Sequence, residues 1–254
     1  MSLDLTYTDQ YFFRGIVQET DGFIIQPAIE IGVELYEGEH HSLSGYVGMW
    51  SSFHDNKTGS TQTDNFTSTW YEFDFYAGLS LSMDRITADL VYTGYTSPNG
   101  AFGSVGEISI GLSLDDSGLW GDTEYGIAPY ALVAFEVGAN EADGGTNSGT
   151  FLAVGIEPST ALSDVLGSEL TISFPVEAGF SLSDYYEVAG SDESFGYLTA
   201  GVAASFPLEF VDDGFGEWSF HAGVNYLLLG DNTETINAGD DSEWIFHAGI
   251  GVAF

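Results

Sequence analysis

Carboxylates are the side chains of this chain best suited to chemistry, because almost nothing in the sequence neutralises them. The chain has 39 Asp and Glu against three basic residues, Arg14, Lys57 and Arg85, and its formal charge is −36. Carboxylates two residues apart on an extended chain share one face and create a negative potential there. Such a face attracts cations, and a chain with so few Lys and Arg is excluded as a nucleic-acid-binding protein.

Five histidines are the other candidates for acid–base or metal chemistry. His221 and His247 fall on the polar face of neighbouring predicted strands, beside Glu217 and Glu243. This group could bind a transition metal, or it could be a hydrogen-bonded pair in a polar interior. The chain has no cysteine and no G-x-S-x-G, H-E-x-x-H or P-loop motif. We therefore expect no enzymatic activity and no required cofactor.

Acidic residues of the predicted loops form a second set of oxygen ligands, which suit hard cations such as Ca²⁺. Asp192, Glu193, Asp240 and Asp241 are the candidate metal ligands, although none of them matches the EF-hand spacing. The alternative interpretation is a solvated acidic rim.

Alternation of apolar and polar residues predicts that strands position these side chains. Within 69–83, apolar residues from Tyr71 to Leu81 alternate with Trp70, Glu72, Asp74 and small polar residues. Residues 25–36 and 169–182 repeat the pattern, and no window has the apolar stripe of a helix. The predicted strands lie near 2–10, 23–36, 42–53, 69–82, 86–95, 105–114, 123–138, 150–157, 168–182, 195–208, 216–229 and 243–254.

The connections between these segments alternate in length, which is typical of outer-membrane barrels. Long ones are predicted near 11–22, 54–68, 96–104, 139–149, 183–194 and 230–242, and shorter ones near 37–41, 83–85, 115–122, 158–167 and 209–215. The sequence predicts one domain, 1–254. Its fold class is all-β, an up-and-down antiparallel transmembrane-type β-barrel of about twelve strands with both termini on the periplasmic side.

The two faces of the strands differ in composition. One face is apolar and uncharged, and the other is small and polar with scattered carboxylates. Aromatic residues near strand ends match interfacial girdles: Tyr7, Tyr36, Tyr92, Tyr125, Tyr197, Trp218, Tyr226 and Trp244. The apolar face is therefore expected to meet lipid. A soluble acidic β-protein from a salty habitat is the alternative.

Carboxylates on the polar face are then expected to line a lumen that repels anions and admits cations. These are Glu30, Glu34, Glu72, Asp74, Asp89, Glu107, Glu124, Glu136, Glu157, Glu169, Glu177 and Glu217. Alternatively, the acids near strand ends lie at a wet rim. Inward Trp70, Tyr130 and Leu132 are expected to fill part of the lumen. Arg14 is either an anchor that binds the first long loop to these carboxylates through bidentate hydrogen bonds, or a surface arginine.

The two ends of the chain give separate signals. Residues 244–254 alternate regularly and end on Phe254, the terminal aromatic that serves as an assembly signal in outer-membrane barrels. The first residues have neither a basic n-region nor an apolar h-region, and no stretch approaches 18 apolar residues. We therefore expect no signal peptide and no transmembrane helix in this sequence.

Three short stretches carry a family resemblance. They are Tyr11-Phe-Phe-Arg14-Gly15-Ile-Val-Gln18, then Gln26-Pro27-Ala28-Ile29, then Tyr46-Val-Gly-Met-Trp50-Ser51-Ser52. Together they resemble the TorF-type putative porins over about the first 55 residues. The resemblance implies an outer-membrane β-barrel with a transport function and transfers no catalytic residue.

Two functions are consistent with these features. The first is a porin-like barrel of the bacterial outer membrane that passes small cationic or neutral solutes through an acidic lumen, with the lipid bilayer as its surroundings. The second is a structural barrel whose copies self-assemble into an extracellular sheath, array or tube, bridged by Ca²⁺ between acidic loops.

Overall fold

The computed structural model describes residues 1–119, 126–165 and 168–254. Glu124 and Tyr125, predicted in the lumen and in the aromatic girdle, lie outside the described residues.

Strands form nearly all of the regular secondary structure in the described chain, as the alternating sequence pattern predicts. They are β1 (Ser2–Thr8), β2 (Tyr11–Phe13), β3 (Ile16–Glu19), β4 (Ile24–Glu37), β5 (His41–His54), β6 (Trp70–Met83), β7 (Ile86–Thr96), β8 (Val105–Leu114), β9 (Tyr130–Glu136), β10 (Thr150–Ile156), β11 (Ser159–Val165), β12 (Ser168–Ser173), β13 (Val176–Ser183), β14 (Glu187–Val188), β15 (Ser191–Asp192), β16 (Phe195–Pro207), β17 (Glu217–Leu229) and β18 (Ser242–Ala253). Two short helices are α1 (Phe66–Thr69) and α2 (Asp231–Ile236), and Asp213–Phe215 forms one turn of 3₁₀ helix.

Twelve of these strands close into an antiparallel barrel. Their order around the ring is β1, β4, β5, β6, β7, β8, β9, β10, β13, β16, β17 and β18, and β18 pairs again with β1. The closed ring leaves none of these twelve strands with an unpaired edge, whereas among the described residues β11 pairs with β12 alone. The predicted fold class and strand number are therefore confirmed.

Prolines interrupt two of the barrel strands. Pro158 separates β10 from β11, and Pro175 separates β12 from β13. Proline has no N–H to donate to the ladder, so each strand breaks there and then resumes. β11 pairs with β12 over Ser159 to Val165. The prediction of a loop at 158–167 was therefore wrong. Apolar and polar residues alternate less regularly in this segment, and Pro158 is a residue type that is common in turns.

The two ends of the barrel differ. At the short-turn end, β4 and β5, and also β6 and β7, are joined by connections of two or three residues, 38–40 and 84–85. The chain termini meet at the same end, where the Phe254 N–H donates to the carbonyl oxygen of Met1 at 2.9 Å. The opposite, long-loop end has the connections 9–23, 55–69, 97–104, 137–149, 184–194 and 230–241.

The outer wall is an apolar band. Side chains of the predicted apolar face are exposed around the barrel, among them Leu5, Ile31, Val33, Val47, Met49, Phe75, Leu79, Leu90, Ile110, Leu112, Phe135, Val154, Val202 and Phe246. Tyr226 and Trp244 pack together on this surface, with ring centroids 4.7 Å apart. The burial pattern of the strands follows the alternation seen in the sequence.

A β-bulge near the start of β6 changes which residues face inward. The register shifts between Ser52 and Phe53, so that Phe53 pairs with Trp70 while Ser52 pairs with Glu72. Trp70 therefore lies outside, stacked on Phe53 at 5.5 Å, and Tyr71 is buried inside. The predicted sides of Trp70 and Tyr71 were both wrong, because a bulge adds one residue to the period of two.

One predicted girdle residue lies in the interior. Tyr197, in β16, is 5% exposed, and its hydroxyl donates to Glu177 Oε1 at 2.5 Å. Tyr130 and Leu132 in β9 do face inward, as predicted. Leu132 packs against the buried core, and Tyr130 donates to Glu177 Oε2 at 2.8 Å.

Candidate functional site

The first long connection enters the barrel as a hairpin of β2 and β3, residues 11–19, here termed the lumen hairpin. Its turn is Arg14–Gly15, and both residues have positive φ, 49° and 82°. Positive φ at two consecutive turn residues is typical of a type I′ turn, whose twist matches that of the paired strands. Glycine is also needed for space, because a Cβ at Gly15 would lie 3.1 Å from the Tyr197 side chain.

An apolar cluster packs the hairpin against one side of the barrel. Ile16 is buried with Phe151 of β10, Tyr185 and Tyr186 of the connection 184–194, and Leu227 of β17. Tyr185 and Tyr186 are 1% and 0% exposed. These contacts fill the interior on the side formed by β9, β10, β16 and β17.

Polar contacts fix the backbone of the hairpin turn. The Tyr186 hydroxyl donates to the carbonyl oxygen of Arg14 at 3.0 Å. Asn237, which follows α2, donates from Nδ2 to the carbonyl oxygen of Gly15 at 2.7 Å and accepts at Oδ1 from the N–H of Val17 at 2.9 Å. Helix α2 thus positions the side-chain amide of Asn237, which pairs with one backbone N–H and one backbone carbonyl of the hairpin.

Arg14 binds the opposite wall. Its Nη1 donates to Glu107 Oε2 at 2.6 Å and its Nη2 to Glu107 Oε1 at 2.8 Å, a bidentate pair. Nη1 also donates to the Tyr185 hydroxyl at 2.8 Å, and the guanidinium lies 4.1 Å from the centroid of the Phe151 ring. The side chains of Arg14 and Glu107 are 13% and 4% exposed. These contacts match the anchor interpretation of Arg14.

All three basic residues of the chain lie in its described part, and the other two are outside the lumen. Lys57 forms an ion pair with Asp64 in the connection 55–69. Arg85 donates from Nη1 to the carbonyl oxygens of Asp115 and Ser117, near the short-turn end. Arg14 is therefore the single Lys or Arg in the interior.

The predicted lumen acids divide by depth. Glu72, Asp74, Glu107 and Glu136 are buried near the long-loop end. Glu30, Asp89 and Glu177 are partly buried farther along the lumen. Glu34, Glu157, Glu169 and Glu217 are exposed, as the rim interpretation expects of acids near strand ends.

Two of the four buried acids have partners that account for their charge. Glu107 binds Arg14. Glu136 accepts hydrogen bonds from the backbone N–H groups of Ala142 and Gly149, each at 2.6 Å, and so closes the connection 137–149. Carboxylates that accept such charge-assisted bonds are well satisfied.

The remaining buried pair is less satisfied. Glu72 accepts one hydrogen bond from the Tyr11 hydroxyl at 2.9 Å, and Asp74 is the next inward residue on β6. Asp74 Oδ1 is buried and has no hydrogen-bond partner among the described residues. An unpaired buried carboxylate oxygen is costly, and two neighbouring buried carboxylates resist being ionised together, so this pair is the least satisfied of the buried acids.

Tyrosine rings cover the inner wall between the acids, and cross-strand glycines make room for them. A Cβ at Gly48 would overlap the ring of Tyr76, and one at Gly155 would overlap the ring of Tyr130. Tyr76 in turn donates to Glu30 Oε2 at 3.1 Å. The glycines of the polar face thus leave space for the tyrosine rings. The hydroxyls of these rings in turn donate hydrogen bonds to the carboxylates.

The predicted histidine pair faces the lumen. His221 Nε2 lies 3.0 Å from the Thr6 hydroxyl, which donates to Asp4 Oδ1 at 2.6 Å. The ring centroids of His221 and His247 are 6.5 Å apart. These two histidines line a cavity of about 310 Å³ with Thr6 and Glu157. The hydrogen bonds match the polar-interior interpretation of this pair.

The four candidate metal ligands do not come together. Asp192 accepts from the Ser181 hydroxyl at 2.9 Å and from the Tyr186 N–H at 3.2 Å. Glu193, Asp240 and Asp241 are exposed. In residues 1–119, 126–165 and 168–254, no group of three or more His, Asp or Glu is arranged to hold a metal ion.

Carboxylates also connect the loops at the long-loop end. Glu187 accepts hydrogen bonds from the N–H groups of Thr146 and Asn147, at 3.0 and 3.1 Å, and these bonds lower the pKa of its carboxyl. Asp143 accepts from the Glu187 N–H at 2.8 Å, and burial raises the pKa of Asp143. The connection 137–149 is therefore fixed to β14 by hydrogen bonds to these two carboxylates.

Sequence reasoning missed the partners of the hairpin. Tyr185, Tyr186 and Asn237 were predicted only as parts of loops. The pair Tyr185-Tyr186 in an otherwise polar connection was the available sign of a buried contact. Two adjacent aromatic side chains that both face water form an apolar patch, which is unfavourable. The contact of Asn237 had no signal in the sequence.

Residues 1–114, which span β1 to β8, match the family described as bacterial protein of unknown function (Gcw_chp). The three stretches that resemble TorF-type porins lie within this part. A search of curated proteins finds no match.

Several solved structures share the architecture. A bacterial polysaccharide outer membrane secretin aligns with a TM-score of 0.50 and 9% identity, over 100% of this chain and 98% of its own. An outer membrane channel from Pseudomonas putida F1 aligns with 0.49 and 10%, over 100% and 94%. LpxR from Salmonella typhimurium aligns with 0.49 and 11%, over 100% of both chains. At these identities the likeness concerns the fold, and the secretin alignment supports it.

Among the described residues, no helix is both long and apolar enough to span a membrane.

Proposed function

We propose that the protein is a β-barrel of the bacterial outer membrane through which small cationic or neutral solutes diffuse passively. The observation that carries the proposal is the distribution of charge in the interior. Carboxylates occur along the lumen from Glu72 to Glu217, whereas its single Lys or Arg, Arg14, is already paired with Glu107. Uncompensated negative charge inside a low-dielectric wall concentrates cations and repels anions.

The outer surface supports the membrane setting. An uncharged apolar band surrounds the barrel, which is an unusually large exposed apolar surface for a protein in water. In a bilayer this band meets acyl chains, and the closed ring satisfies the backbone hydrogen bonds of the wall. In this setting the long loops face outward and both termini face the periplasm.

The lumen hairpin is the constriction in this proposal. It packs tightly against β10 and β17 through Ile16, and it meets β6 and β8 through Tyr11 and Arg14. Its polar side faces the acids of β6. A solute that passes the hairpin on this side meets carboxylates, so selection by charge occurs at the narrowest level.

The test is the reversal potential of the purified protein in planar bilayers under a KCl gradient. We expect K⁺ to permeate better than Cl⁻, and Glu30→Gln and Asp89→Asn to reduce that preference, because both side chains lie in the lumen. Glu209→Gln is the matched control, since Glu209 is exposed in the connection 208–216. Anion selectivity would contradict the proposal, and so would a barrel that stays closed even when Arg14 is replaced.

A second function rests on the packed interior. Phe151, Tyr185 and Tyr186 are almost inaccessible to solvent. An interior filled in this way would suit a structural subunit that transports no solute. Copies would then associate through the apolar band, with Ca²⁺ bridging the acidic rims of neighbours. Electron microscopy with and without a chelator distinguishes the two functions. Ordered polymers that dissolve in chelator favour assembly, and monodisperse barrels that need detergent favour the channel.

A further inference from the structure

A cavity of about 300 Å³ lies beside the lumen hairpin, on the side of β6, β7 and β8. We term it the vestibule pocket. Its lining residues are Phe13 and Gln18 of the hairpin, Glu72, Tyr95, Phe102, Gly103 and Val105, and Asn140, Glu141, Ala142, Gly144 and Gly145 of the next connection. The volume is at the lower limit of small-molecule sites.

The charge of the pocket has one sign. Glu72 and Glu141 contribute carboxylates, and no Lys or Arg is among the described lining residues. Glu72 is 4% exposed, and Asp74, the next inward residue of β6, is 8% exposed and is not among the lining residues. Arg14 does not supply the missing charge, because both of its terminal nitrogens bind Glu107. A cation from solution in the pocket would pair with Glu72 and Glu141.

The other lining groups favour an organic cation over a metal ion. Three rings, those of Phe13, Tyr95 and Phe102, border the cavity, and ring faces attract ammonium groups while their edges accept alkyl carbons. Among the described residues, no group of three or more His, Asp or Glu could coordinate a metal. An ammonium group needs fewer ligands, since each N–H donates to a single oxygen.

We propose that the vestibule pocket binds a small organic ammonium ion, with its nitrogen between Glu72 and Glu141 and its alkyl part against the three rings. The binding site itself is independent of transport. That such an ion is also the class of solute that enters the lumen rests on the proposed function. Amide oxygens of Gln18 and Asn140 border the same space and are further acceptors. Neutral solutes of the same shape lack the charge-assisted hydrogen bonds and would bind more weakly.

Isothermal titration calorimetry of the protein in detergent tests the site, with n-butylammonium chloride as the probe and n-butanol as its neutral analogue. Butylammonium should bind saturably, one per barrel. Butanol should bind at least about tenfold more weakly, which corresponds to the loss of one hydrogen bond to a charged group. Saturable binding that is equal for the two probes, or no saturable binding, would overturn the proposal.

Two variants and one control locate the binding. Glu141→Gln and Glu72→Gln should each weaken butylammonium binding about tenfold. Glu141 is partly exposed in a loop, so its variant should fold even if the buried Glu72 variant does not. Glu193→Gln, an exposed acid at the same end, should bind like the parent protein. Unchanged affinity in the Glu141 variant would overturn the site.

The same samples in planar bilayers separate this proposal from the function it rests on. Cation-selective conductance without butylammonium binding would overturn the pocket and leave the channel. Butylammonium binding without conductance, even when Arg14 is also replaced, would keep the site and overturn the channel. Binding together with conductance that butylammonium reduces would support both.

Discussion

The bidentate pair between Arg14 and Glu107 should hold the lumen hairpin in place, and Arg14→Asn tests this directly. Asparagine is favoured at the first position of a type I′ turn, so the variant keeps the hairpin turn while removing the guanidinium. Lys57→Asn is the matched control. Lys57 also has positive φ, 55°, and it forms an ion pair, but in an exposed loop with Asp64.

The structure sets the size of the effect. Arg14 and Glu107 are 13% and 4% exposed, and removing one partner of a buried pair costs about 3–5 kcal/mol, because the other charge stays buried alone. The contact of Arg14 with the Phe151 ring adds about 0.5–2 kcal/mol. The exposed pair of Lys57 is worth roughly 0–1 kcal/mol. A loss of about 3 kcal/mol shifts the equilibrium between docked and released hairpin by roughly a hundredfold.

Single-channel recording in planar bilayers measures this shift as the ratio of open to closed time. Arg14→Asn should raise the ratio by roughly a hundredfold over that of Lys57→Asn. The double variant Arg14→Asn with Glu107→Gln should recover part of the loss, because it leaves no buried charge unpaired. If the Arg14 and Lys57 variants differ by less than about twofold, the pair does not hold the hairpin and the reasoning fails.

Two further predictions concern the wall of the barrel. Gly48→Ala should lower the free energy of unfolding by about 1–3 kcal/mol in urea titrations, because the added Cβ overlaps the Tyr76 ring. Gly32→Ala, whose nearest contact is 3.9 Å away, should cost less than the Gly48 variant. Leu79→Arg on the outer band should cost about 2–4 kcal/mol on folding into lipid vesicles. Ser80→Arg, one residue away on the lumen face, should instead fold and reduce the preference for cations; equal destabilisation would contradict the assigned faces.

The wall of the barrel could be predicted from sequence because it depends on a local rule. Each strand alternates between an apolar environment and a polar one, so the period of two is present in every segment. The rule fails where the chain adds a residue. The bulge near Ser52 and Phe53 moved Trp70 outside and Tyr71 inside, and neither residue type reveals such a shift.

The interior could be predicted less well because its contacts join distant parts of the chain. Arg14 was identifiable because cations are so rare in this sequence, but its partner among many acids was not. Glu107 and Glu72 are equivalent in sequence, since each is an acid on a polar face near the start of a strand. The tilt of the strands and the depth of the hairpin decide that one meets Arg14 and the other meets Tyr11.

This division of the acids bears on where selectivity arises. Glu107 is neutralised by Arg14, and Glu136 is satisfied by backbone N–H groups, so neither adds much free charge at the hairpin. Glu72 accepts one hydrogen bond, from Tyr11, and Asp74 Oδ1 has no partner among the described residues. Both acids lie on β6, opposite the apolar cluster that packs the hairpin. A cation can approach this side of the hairpin through the cavity that Glu72 lines. Charge and access coincide there, and for this reason we expect substitutions on β6 to change selectivity more than substitutions of the many acids in the loops.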